Sequence, residues 1–84
     1  MVPGMDGATA VVTGASRGIG EQIAHAVADA GAHTIICARD AEALDAVATD
    51  IRNAGGSVTA IRADVRDEFD VERLVETATR EGDG

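Results

Sequence analysis

The sequence has no lysine, tryptophan or tyrosine, and only one cysteine, one proline and one phenylalanine in 84 residues. Each shortage excludes something. A phosphate loop of the G-x-x-x-x-G-K-[ST] type needs a lysine after its last glycine, so it cannot be built here. A single cysteine, Cys37, supplies neither an internal disulfide nor a cysteine-based metal knuckle, and a reducing compartment is the expected environment. Most of the apolar residues are alanine and valine, so few large side chains can fill a core. A chain this short buries only about 60% of its unfolded surface. One thin-cored domain, marginally stable in isolation, is expected.

Positive charge and long apolar runs are also scarce. Seven basic residues, all arginine, stand against fifteen acidic ones, for a formal charge of −8. Nucleic acid is not an expected partner, because such surfaces carry a clustered basic stripe. An acidic, lysine-free composition is expected from GC-rich coding or adaptation to high salt, with a functional acidic patch as the alternative. No apolar stretch nears the roughly 20 residues that span a bilayer, and no basic segment precedes an apolar one at the N-terminus. The expectation is a soluble, cytoplasmic protein with no membrane partner.

What is present alternates regularly. Ala8 to Thr13 is short, apolar and β-branched and runs straight into glycine, as a buried parallel strand does. From Gly18 onward, Ile19, Ile23, Ala26, Val27 and Ala30 recur at three- and four-residue spacing, which predicts an amphipathic helix with that face inward, ended by Gly31. Thr34 to Cys37 predicts a second buried strand. Asp40 then caps a helix lined by Leu44, Val47, Ala48 and Ile51, with Glu42 in its first turn and Gly55 and Gly56 at its end. Ser57 to Ile61 predicts a third strand, and Asp67 caps a third helix with Val71, Leu74, Val75 and Ala78 inward. Gly82 to Gly84 reads as a polar tail. The order β-α-β-α-β-α with short connections is that of an α/β fold, an open parallel sheet with helical crossovers. Right-handed crossovers place the strands in the order 3-2-1.

Three glycines sit at the first strand-to-helix junction, in Thr13-Gly14-Ala15-Ser16-Arg17-Gly18-Ile19-Gly20. Gly14 permits a sharp departure from the strand, Gly18 a close backbone approach to a pyrophosphate, and Gly20 tight packing of the helix. Free amides and the positive dipole end at the helix start attract an anion. A glycine triplet alone is a weak signal, but its place at the opening of a βαβ unit is the context a dinucleotide site requires.

The spacing T-G-x-x-x-G-x-G resembles the signature of the classical short-chain dehydrogenase/reductase family. The extended relatives of that family would need a glycine where Arg17 stands. The resemblance covers essentially all of residues 1–84 and only the first third of a typical member. It implies the N-terminal part of a single NAD(P)-binding domain, an incomplete three-layer Rossmann-type sheet. At the end of the second strand, where NAD binders of this type carry an acid, stands Ala38, followed by Arg39. Alanine does not repel a 2′-phosphate, and a guanidinium holds one through two parallel hydrogen bonds. Arg17 resembles the second basic position of NADP-preferring members, and the Ser16 hydroxyl is placed to help. NADP is therefore expected over NAD. Asp64 and Val65 resemble the family's adenine-contacting pair. The expected cofactor-binding residues are thus Thr13, Gly14, Ser16, Arg17, Gly18, Ile19, Gly20, Ala38, Arg39, Asp64 and Val65. His25 and His33 lack metal-ligand partners in the sequence and are expected to be solvated or packed, and Cys37 is expected to be a small buried residue.

The resemblance also implies what is missing. Hydride transfer in the family relies on Y-x-x-x-K, an upstream serine and an asparagine, and this chain has no tyrosine or lysine. Ser16, Ser57 and Asn53 belong to the phosphate turn, a strand start and a helix end, so no catalytic residue is carried over. The expectation is the cofactor portion of an oxidoreductase acting on a small carbonyl or alcohol, inactive alone, whose intact form is a homo-oligomer. The alternative is a non-catalytic nucleotide-binding module that pairs its open sheet edge with another chain.

Overall fold

In the computed structural model, which describes residues 7–82, three strands and three helices alternate. The strands are β1 (Thr9–Thr13), β2 (His33–Ala38) and β3 (Ser57–Arg62), and the helices are α1 (Gly18–Asp29), α2 (Ala41–Asn53) and α3 (Glu68–Gly82). β2 lies between β1 and β3 and pairs parallel with both, with Ile36 opposite Val12 on one side and Ala60 on the other. This is the expected order 3-2-1. Of the tail expected over Gly82 to Gly84, only Gly82 is described, and it closes α3.

Strand alternation sorts β2 between two layers. Ile36 and Ala38 join Leu44, Val47, Ala48 and Ile51 of α2 and Ala24 and Ala28 of α1 in one core. Ile35 and Cys37 point the other way, to Ala63 and Leu74, with Ala78 of α3 packed alongside. Helices therefore cover both faces of the sheet. β1 is an edge strand among the described residues, and Val11 on it stays 43% exposed.

Two expected helix faces are corrected. On α1, Val27 packs against the core as expected and Ala30 is half-buried, but Ile19, Ile23 and Ala26 are exposed, while Ala24 and Ala28 are buried. Gly20, Ala24 and Ala28 recur every four residues, and this ridge of small side chains lets the helix approach the sheet more closely than isoleucine would permit. On α3 the inward arc centres on Leu74, with buried Thr77 to one side and half-buried Val71 and Ala78 to the other. Val75 sits about 100° around the helix from Leu74 and is 57% exposed. The inner face expected of α2 is buried throughout.

Candidate functional site

The C-terminal end of β2 organises the cleft. The Cys37 carbonyl accepts the Ala15 amide at 3.2 Å, and the next carbonyl, that of Ala38, accepts the Ala63 amide at 3.0 Å. The loops that follow β1 and β3 therefore hang from consecutive residues of the central strand. Between them opens a cleft of about 740 Å³. Gly14, Ser16 and Arg17 line one side, Cys37 to Asp40 the floor, and Ala63 to Arg66 the other side. In an open parallel sheet, a crevice beyond the carboxyl ends of the strands is where ligands bind.

The glycine turn is shaped by backbone demands. Gly14 and Gly18 have φ of 65° and 63°, the left-handed region in which a side chain is strained. Gly20 has ordinary φ, but a Cβ there would collide with the Gly14 carbonyl. This glycine packs the helix start against the turn itself, a more local reason than contact with the sheet. At the head of α1, Arg17 is extended and no side chain caps the helix. α2 differs, because Asp40 Oδ1 accepts the Ala43 amide at 3.1 Å, and so does α3, where Asp67 Oδ1 accepts the Phe69 amide at 2.9 Å. The open amides and positive dipole end at α1 suit an anion.

Three arginines line the cleft, and they are not equivalent. Arg17 and Arg39 have no ion-pair partner among the described residues, so the possible pairing of Arg39 with the neighbouring Asp40 is not made. Arg66, which the sequence did not single out, is bound to Asp64 by parallel bonds of 3.1 Å from Nε to Oδ1 and from Nη2 to Oδ2. The Arg66 side chain, then its backbone amide, hold the Asp64 carboxyl down at about 2, against an ordinary 3.8. The Asp64 amide in turn donates to Asp70 Oδ2 at 2.9 Å, and Arg73 bonds both Asp70 Oδ1 and the Arg62 carbonyl. Asp70 stands in the first turn of α3, where an acid is favoured. That position was the one sequence signal that could have flagged it.

Of the expected site residues, the fold brings Gly14, Ser16, Arg17, Ala38, Arg39, Asp64 and Val65 together around the cleft. Thr13, Gly18, Ile19 and Gly20 do not line it: Thr13 ends β1 and the others form the first turn of α1. Ile19 is 76% exposed. Cys37 is buried as expected, and burial pushes its thiol pKa up, only partly offset by a bond from the Gly14 backbone. His33 is a packed residue that bridges Ser57 and Thr59 across the sheet, through Nδ1 at 2.5 Å and Nε2 at 3.1 Å. His25 is partly exposed on α1, with Glu21 one turn earlier at 3.8 Å and Asp50 of α2 nearby, the three ligand atoms within 4.8 Å of one another. No helix among the described residues is long and apolar enough to cross a membrane.

The family model of short chain dehydrogenases matches residues 8–83. A 3-oxoacyl-[acyl-carrier-protein] reductase of rhamnolipid biosynthesis from Pseudomonas aeruginosa is 49% identical over 70 residues, which is 83% of this chain and 27% of that protein. Among solved structures, a citronellol catabolism dehydrogenase of Pseudomonas aeruginosa superposes with a TM-score of 0.88 at 41% identity, over 96% of this chain and 34% of that one. A metagenomic short-chain oxidoreductase in complex with NADP superposes with a TM-score of 0.87 at 36% identity, over 93% of this chain and 35% of that one. The chain thus spans about a quarter to a third of these relatives.

Proposed function

This chain belongs to the short chain dehydrogenase family, and from that premise we propose that it is the NADP(H)-binding portion of an oxidoreductase. The observation that carries the cofactor choice is the pair Arg17 and Arg39, both without ion-pair partners among the described residues and both lining one cleft floored by Ala38. A 2′-phosphate placed there meets two guanidinium groups and no carboxylate at the Ala38 position, whereas NAD offers neither arginine a phosphate to bind, and Arg39 then has only the more distant charge of Asp64. The uncapped start of α1 suits the pyrophosphate, and the positive φ of Gly14 and Gly18 keeps side chains out of its way. Asp64 and Val65 take the adenine end.

When bound, the nicotinamide gives or accepts a hydride, and the substrate is a small carbonyl compound or alcohol. The residues of this chain hold and orient the adenosine and pyrophosphate end. With no tyrosine or lysine in its 84 residues, the chain alone binds without turning substrate over. In the polypeptide that carries out the reaction, the proton relay comes from a Y-x-x-x-K segment. Calorimetry of the chain with NADP and with NAD tests the reading. Tighter binding of NADP is expected, and equal affinity would reject the roles given to Arg17 and Arg39.

The edge position of β1, with Val11 half exposed, favours a second reading in which the chain is a non-catalytic module that pairs through this strand. A folded, monodisperse dimer of the chain in sedimentation would support it, and a monomer would reject it.

A further inference from the structure

The Asp64 carboxylate is gripped along one edge. Oδ1 accepts both the Arg66 backbone amide at 2.9 Å and Nε at 3.1 Å, and Oδ2 accepts Nη2 at 3.1 Å. A carboxylate offers about four lone-pair directions, so Oδ1 is saturated and the remaining direction belongs to Oδ2. The Asp64 peptide is fixed as well, by the bond from its amide to Asp70 Oδ2. Neither the backbone nor the side chain of Asp64 is left to swing. The Asp64 side chain is 32% exposed and the Arg66 side chain 73%, so the carboxylate is the more buried member of the pair, and both residues line the cleft. An ion pair this exposed adds little to stability. Its planar, two-bond geometry does restrict direction.

We propose that Arg66 is a positioning residue that aims Asp64 Oδ2 at the edge of the bound nucleotide's base, so that the site selects a 6-amino purine over a 6-keto purine. This rests on the reading that the cleft holds NADP(H). A fixed acceptor meets the N–H of a 6-amino group favourably and is repelled by a 6-keto oxygen. A carboxylate free to rotate would re-aim at the N1–H that a 6-keto purine carries, and the discrimination would fall. Lysine at position 66 keeps the charge but cannot form two parallel bonds.

The test is calorimetric titration of the chain with NADP and with its deaminated analogue, in which hypoxanthine replaces adenine. The wild-type chain should favour NADP by about tenfold, the scale of one hydrogen bond to a charged group. Asp64→Ala should abolish the preference. Arg66→Ala and Arg66→Lys should each lower it to about threefold or less, and if Arg66→Ala does not fold, Arg66→Lys decides. A wild-type ratio in the foldable Arg66 variants, or no preference in a wild-type chain that binds NADP, overturns the role of Arg66 and leaves the cofactor reading standing. Failure of the wild-type chain to bind NADP at all overturns both.

Discussion

Gly20 stands against Gly14 so closely that a Cβ at Gly20 would lie 2.9 Å from the Gly14 carbonyl carbon and 3.3 Å from the Ala15 Cα. These are backbone atoms that cannot rotate away. Gly20→Ala should therefore cost about 1–3 kcal/mol as an overpacked contact, read as a lower urea midpoint. Gly18→Ala meets open space and carries only the strain of its positive φ, about 1–2 kcal/mol. An unchanged midpoint for Gly20→Ala would mean that the head of α1 can lift away from the turn.

Arg39→Ala and Arg17→Ala should each weaken NADP binding by about tenfold while changing NAD binding little, since each removes a charge-assisted bond to a phosphate that NAD lacks. The preference for NADP should also shrink as salt is raised, because both side chains are exposed. Calorimetry at two ionic strengths checks both statements. Equal losses for the two cofactors would place these arginines on the shared pyrophosphate instead.

Asp64 titrates at about 2 in the folded chain, below its ordinary 3.8. Its folded-state pKa is depressed, so it favours the fold when ionised. That contribution is fully present above 3.8 and is lost as pH falls from there through about 2. Arg66→Ala removes the main cause, and the carboxyl should move back toward 3.8 in a carbon-detected NMR titration. A carboxyl that still titrates at about 2 in this variant would mean that other groups hold it down.

Leu74 and Val75 are adjacent in α3 and should respond very differently. Leu74 is 6% exposed and packs with Ile35, Cys37 and Ala63 in a small core with few other large side chains. Leu74→Ala should cost about 2–5 kcal/mol, enough to unfold a marginal chain. Val75→Ala should stay within about 0.5 kcal/mol. Comparable losses in urea denaturation would restore the inner face that periodicity alone suggested.

The element order, the sheet order and the α2 face could be read from the sequence because each rests on local periodicity or on a cap such as Asp40. The inner face of α1 could not. Ile19 and Ile23 are the most apolar residues available, yet the space beside the sheet fits only the Gly20, Ala24 and Ala28 ridge, and hydrophobicity does not encode that size limit. The cleft followed the same division. The glycine spacing and the Ala38-Arg39 step marked its floor and one wall. Which arginine is already bound to an acid depends on loop geometry, so the Asp64 and Arg66 pair, two residues apart and in no helix or strand, left no periodic trace. Asp50 reaches Glu21 and His25 only because α2 lies beside α1.

The two loop attachments on β2 make the cleft a single mechanical unit. Because Ala15 and Ala63 hang from the carbonyls of Cys37 and Ala38, any shift of that one strand end moves both walls together. Substitutions at Ile35 or Ile36, which are buried and do not line the cleft, are thus routes by which its width can drift without a change in a single lining residue. Conversely, either loop can vary in sequence without altering the other's position, provided its one amide still reaches the strand.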